Sequence, residues 1–258
     1  MVHGTKSHSK KKESTMRILS TLLILSVVFI GCFDAVDTEL LNNITNGTPN
    51  SLGDPFENDK LQNPNWRWEN EPPTYEGSVG AWDIGETRDN HLFIEAEPNR
   101  NLWATDQTHI LYQELEADVF DVETKFTARW NTSSGVTGLI VKSPMDDNWV
   151  TLKFWARDAG ARGFIQYQTK QNEGDNGLTG NAWQSPVHGE LDMFFRLAKD
   201  GDTYTSWYKI EATDDWIEVG VTEFKLTPPL WVGIYAGNGS GRGQMQVEFE
   251  YFKDNLTP

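Results

Sequence analysis

The chain has 258 residues, with 22 Lys+Arg against 38 Asp+Glu and a formal net charge of −16. A surface this acidic repels phosphate backbones and anionic headgroups, which excludes nucleic acid as a partner and leaves a membrane reachable only through an anchor. The single cysteine excludes an internal disulfide.

In chain order, Lys10, Lys11, Lys12 and Arg17 form a basic segment ahead of the apolar run Ile18–Ile30. That run is 13 residues long, whereas a spanning helix needs about 20, so residues 1–31 read as a signal peptide. Met16 offers an alternative start. Phe29-Ile30-Gly31-Cys32 resembles a bacterial lipobox, with Phe29 where Leu or Val is usual. Cys32 is therefore the expected lipidation site, and the alternative is an ordinary signal peptide cut nearby. The protein is expected outside the cytoplasmic membrane, in the periplasm or at the cell surface. Residues 32–53, rich in Asn, Gly and Pro, read as a spacer. Without residues 1–31 the charge falls to about −20, and residues 54–258 suit one domain.

From Asp54 the pattern is strand, turn, strand. Strands are predicted at Asp121–Trp130, Val136–Lys142, Trp149–Trp155, Gly163–Thr169, Met193–Leu197, Thr203–Ile210, Trp216–Val219, Leu230–Ala236 and Met245–Phe252. Val, Ile, Phe, Tyr, Trp and Thr dominate these runs, and Gly, Asp, Asn and Pro separate them. No segment of ten residues holds a 3.6-residue period, which argues for an all-β antiparallel sandwich or barrel. Alternation puts Val150, Leu152 and Phe154 on one face and Trp149, Thr151, Lys153 and Trp155 on the other. Two Trp around a Lys on a face that would otherwise meet water is unusual. Trp207 likewise shares a face with Thr203, Thr205 and Lys209. These Trp are either open platforms or are covered by loops or a second core.

Asp54-Pro-Phe56, Trp66-Arg-Trp68 with Pro72-Pro73, Leu92-Phe-Ile94 and Leu102-Trp103 resemble the opening of a concanavalin-A-like lectin/glucanase domain. That domain occurs as the C-terminal module of some β-xylosidases and as a free-standing bacterial family. Gly138–Lys142 with Asn148–Leu152 resembles its central hairpin, and Trp231–Tyr235 with Phe249–Phe252 its closing pair. The resemblance spans roughly Asp54 to Asp254. It implies a jelly-roll sandwich of two curved antiparallel sheets, with glycans held in many relatives on the concave sheet or its edge loops. Sugar rings stack their C–H faces on aromatic rings, and their hydroxyls need both donors and acceptors. From alternation, Trp149, Trp155, Trp207, Arg129, Gln168 and Tyr235 are the candidate carbohydrate-binding residues, joined by Trp103 in a polar stretch between Asn101 and Asp106.

A glycosidase is the first alternative. Retaining enzymes place two carboxylates about 5–5.5 Å apart, and family-16 glycoside hydrolases carry Glu-x-Asp-x-x-Glu or a form one residue shorter. Glu190-Leu-Asp-Met193 matches the first four positions, but Phe194 and Phe195 stand where the second Glu belongs; Glu116–Asp121 ends in Asp. No catalytic residue is therefore nominated. His91, His109 and His188 lack metal-ligand spacing. Asp146-Asp-Asn148 could hold a structural calcium ion, and turn chemistry explains the same residues. Gly237–Gly243 is glycine-rich but lies between strands, as a hairpin tip does. The sequence thus points to a monomeric, membrane-anchored, non-catalytic module for a polysaccharide or glycan, without a cofactor. The alternatives are a glycoside hydrolase and a structural or adhesive envelope lipoprotein.

Overall fold

A computed structural model describes residues 51–73, 80–103, 107–157, 162–171, 175–184 and 189–257. Among them the secondary structure is entirely β. The strands are β1 (Arg67–Glu69), β2 (Ala81–Ile84), β3 (Leu92–Glu95), β4 (His109–Leu115), β5 (Val119–Trp130), β6 (Gly135–Lys142) and β7 (Trp149–Arg157). They continue with β8 (Arg162–Gln171), β9 (Asp175–Gln184), β10 (Glu190–Asp200), β11 (Thr203–Lys209), β12 (Ile217–Glu223), β13 (Leu230–Asn238) and β14 (Met245–Asp254).

These strands form two seven-stranded sheets. The first has the order β1-β4-β13-β6-β7-β8-β9 and the second β12-β11-β10-β5-β14-β3-β2. Neighbours pair antiparallel throughout. All nine strands predicted from the sequence are present, most of them a residue or more longer at an end. The all-β sandwich expected from the turn-punctuated pattern is the observed fold.

One core fills the space between the sheets. The predicted faces are those that enter it: Val122, Phe126, Ala128 and Trp130 from β5 meet Val150, Leu152 and Phe154 from β7. Trp130 stands edge-on to Phe154 at 4.8 Å, and Phe126 to Phe195 at 5.0 Å. Each such ring removed from water contributes roughly 1.5–3 kcal/mol, and edge-to-face contact adds to it.

The first sheet also has a second, outward cluster. Ile110, Val136, Ile140, Trp149 and Tyr235 are buried there together with Leu102 from the segment before β4. Packing also reaches into the stretch read as a spacer: Leu52 is buried, and its carbonyl accepts from Gln113 Nε2 at 2.6 Å.

Candidate functional site

Along β7 the outward residues are Trp149, Thr151, Lys153 and Trp155, as alternation predicts. In register, Lys153 lies between Gly138 of β6 and Gln166 of β8, and Thr151 lies opposite Gln168. A Cβ at Gly138 would come within 2.1 Å of the Leu152 carbonyl oxygen, so the close approach of β6 to β7 at this row requires glycine.

The segment ahead of β4 folds over one end of this face, and several contacts hold it there. Glu97 is fully buried and pairs with Arg100 Nε at 2.8 Å, while its backbone N–H donates to His109 Nε2 at 3.2 Å. His109 Nδ1–H donates to the Asn70 carbonyl. Burial lowers the His109 pKa from its ordinary value, opposed by the hydrogen bond to Asn70 and the Glu97 charge. The neutral ring with its proton on Nδ1 is what this network uses. Arg100 N donates to the Asn238 carbonyl at 2.9 Å, and Asn238 ties the glycine-rich 239–244 stretch through Gly243 O at 2.9 Å. The Asn101 side chain then turns the chain by accepting from Trp103 N at 2.9 Å, which presents the Trp103 indole above the sheet.

Between this segment and the sheet is a cleft of about 320 Å³, at the small end of ligand pockets. Asn101, Leu102, Trp103, Ser134, Val136, Trp149, Lys153, Trp155, Gln166 and Gln168 line it. Trp103 is 45% exposed and Trp155 half-buried, while Trp149 is fully buried with its ring 5.9 Å from that of Trp103. Two polar atoms of the lining are buried without a hydrogen-bond partner: the Trp149 indole nitrogen, a donor, and Gln168 Oε1, an acceptor. A buried unpaired polar group costs on the order of 1–3 kcal/mol.

The third polar element is Lys153, only 8% exposed. Its ammonium lies 5.9 Å from the Trp103 ring centre and 5.7 Å from that of Trp155. No carboxylate among the described residues pairs with it, and burial pushes its pKa down to about 8. Among the other described lining residues there is no Asp, Glu or His.

Four of the seven residues nominated from the sequence, Trp103, Trp149, Trp155 and Gln168, line this one cleft. Trp149 and Tyr235 are not open platforms, since both are fully buried. The Tyr235 hydroxyl is taken up by Thr151 Oγ1 at 2.8 Å. The second core weighed as an alternative from the sequence is what covers them. Arg129 and Trp207 lie on the outward face of the second sheet. There Arg129 is held by Glu190 at 3.0 Å and by Glu248, and the Arg196 guanidinium lies 5.0 Å from the Trp207 ring centre. That face is a ladder of ion pairs, with Arg88–Glu248, Lys125–Glu250 and Arg196–Asp121 alongside.

Sequence reasoning missed Lys153 and Gln166. The signal is present in the sequence, because a Lys between two Trp on an alternating strand is unusual, but on β7 it points first to the rings.

Glu190 and Asp192 belong to the ladder face, where Glu190 accepts from Arg129 and Asp192 from the Thr127 hydroxyl. In the Asp146–Asn148 turn, Asp146 accepts from Asn148 N at 3.0 Å and from the Thr227 hydroxyl at 3.1 Å, while Asp147 lies 3.3 Å from Lys142 Nζ. Protein donors thus take up both Asp146 oxygens and one of Asp147. Among the described residues no group of three His, Cys, Asp or Glu is arranged to hold a metal ion. His188, Cys32 and the lipobox lie outside the described residues.

No protein-family model and no curated protein matches the sequence. Solved structures do match. A mutant of a glycoside hydrolase family 43 protein from Bacillus licheniformis aligns with a TM-score of 0.60 and 17% identity over 79% of this chain and 39% of its own. A xylan β-1,4-xylosidase from Bacillus halodurans aligns with a TM-score of 0.59 and 17% identity over 79% and 38%. A protein of unknown function from Saccharomyces cerevisiae aligns with a TM-score of 0.57 and 15% identity over 74% of this chain and 97% of its own. The chain spans about two-fifths of the length of the two bacterial proteins. At these identities the likeness is one of fold.

Proposed function

We propose that the protein is a non-catalytic carbohydrate-binding module and that the Trp103–Trp155 cleft is its binding site. The observation that carries this reading is an aromatic cleft whose described lining holds buried donors and a buried acceptor without partners, Trp149 Nε1, the Lys153 ammonium and Gln168 Oε1. A sugar offers the complement, with C–H faces for the indoles and hydroxyls that both donate and accept. The absence of Asp and Glu from the described lining favours binding over hydrolysis, which needs two opposed carboxylates. The fold likeness to modules of xylan-degrading proteins supports a role with polysaccharides.

A glycan array probed with the intact protein tests this. Selective binding is expected, with Trp103→Ala and Trp155→Ala each weakening it by roughly fivefold or more, the cost of about 1–3 kcal/mol for a lost stacking ring. Retained binding in both variants, or release of reducing sugar by the wild type, would refute the proposal.

We further propose that Cys32 carries a lipid that tethers this module outside the cytoplasmic membrane. Several anchored copies would bind a repetitive polymer with avidity beyond that of one site. Radiolabelled fatty acid is expected to be incorporated into the wild type and not into Cys32→Ala; equal labelling of both would exclude the anchor.

A further inference from the structure

We propose that the cleft takes an anionic sugar, a uronic-acid residue of an acidic polysaccharide, whose carboxylate pairs with the Lys153 ammonium. The inference rests on the carbohydrate-binding reading and names its ligand class.

The other buried cations of the described residues each meet a carboxylate. Lys142 Nζ meets Glu69 at 2.8 Å and Asp147 at 3.3 Å. Arg100 meets Glu97 at 2.8 Å. Lys199 reaches the Asp118 carbonyl at 3.1 Å and its carboxylate at 3.7 Å. Lys153 is buried to the same degree in a chain with 38 carboxylates, yet no described carboxylate is turned toward it. A buried cation is otherwise paired or lost as a proton. The ammonium stands near both indoles, and these contacts take none of its N–H donors into a hydrogen bond with a described residue.

The remaining polar groups fit the same ligand. In the cleft wall, Trp149 Nε1 is a second donor without a partner and Gln168 Oε1 an acceptor without one, the complement of a carboxylate or ring oxygen and of a ring hydroxyl. A neutral sugar would satisfy Trp149 and Gln168 but leave the ammonium without a charge partner among the described residues. A second cation borders the cleft, since the Arg157 guanidinium lies 4.3 Å from the Trp155 ring centre, but a densely sulfated ligand calls for more positive charge than these two side chains supply. A monovalent carboxylate on a pyranose ring matches one ammonium, one indole donor and one amide acceptor beside two stacking faces.

Calorimetric titration of the intact protein with oligogalacturonides, oligoglucuronides and alginate oligosaccharides, against neutral galacto- and cello-oligosaccharides and a sulfated carrageenan oligosaccharide, tests the inference. At least one uronate series is expected to bind roughly thirtyfold or more tightly than the neutral sugars, the value of a desolvated charge pair. Lys153→Met is expected to abolish that preference, and Lys153→Gln repeats the test should the first variant fold poorly. Tighter binding of neutral or sulfated sugars, or a uronate preference that survives in a folded Lys153 variant, overturns the inference and leaves the carbohydrate-binding reading standing. Absence of binding to any of them overturns both.

Discussion

Asp54→Ala is expected to lower the stability of the protein by about 4 kcal/mol or more in urea-induced unfolding. The Asp54 side chain is 1% exposed and accepts four hydrogen bonds: from Phe56 N, Gln62 N and Asn63 N at 2.8 Å each and from Trp66 Nε1 at 2.9 Å. Bonds to a charged acceptor contribute about 1.5–3 kcal/mol each, and truncation leaves their donors orphaned. The same carboxylate shapes the loop that sets Phe56 and Trp66 against Phe252, with the last two rings edge-on at 5.2 Å. Asp54 also bridges to Phe252 through both backbone groups. Asp54→Asn keeps the volume but loses the charge and half of the acceptor capacity, so it is expected to fall between wild type and Asp54→Ala. A loss below about 1 kcal/mol in Asp54→Ala would contradict this account of the loop.

The opposite sign is expected at Lys153. Lys153→Met should stabilise the ligand-free protein by about 2 kcal/mol at pH 7, raising the melting temperature by roughly 4–8 °C for a domain of this size. Lowering a lysine from 10.5 to about 8 by burial corresponds to roughly 3 kcal/mol for holding the charged form in the fold. The two cation–π contacts return part of this, about 0.5–1 kcal/mol each at a partly open site. Methionine keeps the length and apolar stem without the charge. The sign with pH follows from the same shift. Between pH 8 and 10.5 the unfolded chain binds the Lys153 proton and the folded protein does not, so raising the pH through this window favours folding of the wild type. The advantage of Lys153→Met is therefore complete below pH 8 and vanishes toward pH 10.5. Paired denaturation curves at pH 7 and pH 10 measure it, and a variant less stable than wild type at pH 7 would contradict it. A residue that costs stability in the empty protein and contacts the cleft is what a binding function requires.

Much of this was legible in the chain. Runs of β-prone residues between turn residues located β5 to β8 and β10 to β14, and period-two alternation assigned the faces of β5, β7 and β11, because one side of each enters a common apolar core. β1, β2 and β3 have only three or four residues each, too few for alternation to show. β4 is buried on both sides at its start, with Ile110 in the outer cluster and Leu111 in the core, and it runs into Gln113-Glu114 rather than a turn residue, so neither alternation nor punctuation marks it. β9 is rich in Asn and Gly, which β-propensity disfavours. Its Gly180 is explained only by the fold: a Cβ there would lie 2.1 Å from the Val219 carbonyl oxygen of β12, where edge strands of the two sheets meet.

The site was legible in part and for the same reason. Alternation shows which residues leave the core, but it does not show what comes down over them. The segment pinned by Glu97, Arg100 and His109 converts an outward face into a second core around Trp149 and Tyr235, and leaves a cleft at its margin. Nor does alternation say which of two sheets a strand joins. Arg129 and Trp207 were grouped with Trp149 although they lie on the other sheet, where ion pairs occupy the outward face.

The most direct test of the binding cleft uses the tryptophan indole resonances in a ¹H–¹⁵N spectrum, recorded while adding the tightest-binding array glycan. The Trp149 signal is identified by its loss in Trp149→Phe, and that of Trp130, buried between the sheets, serves as an internal control. The account predicts that the Trp149, Trp103 and Trp155 signals move in step with the same affinity while Trp130 stays in place. Movement of Trp207 alone, with the three cleft signals unchanged under saturating glycan, would contradict it.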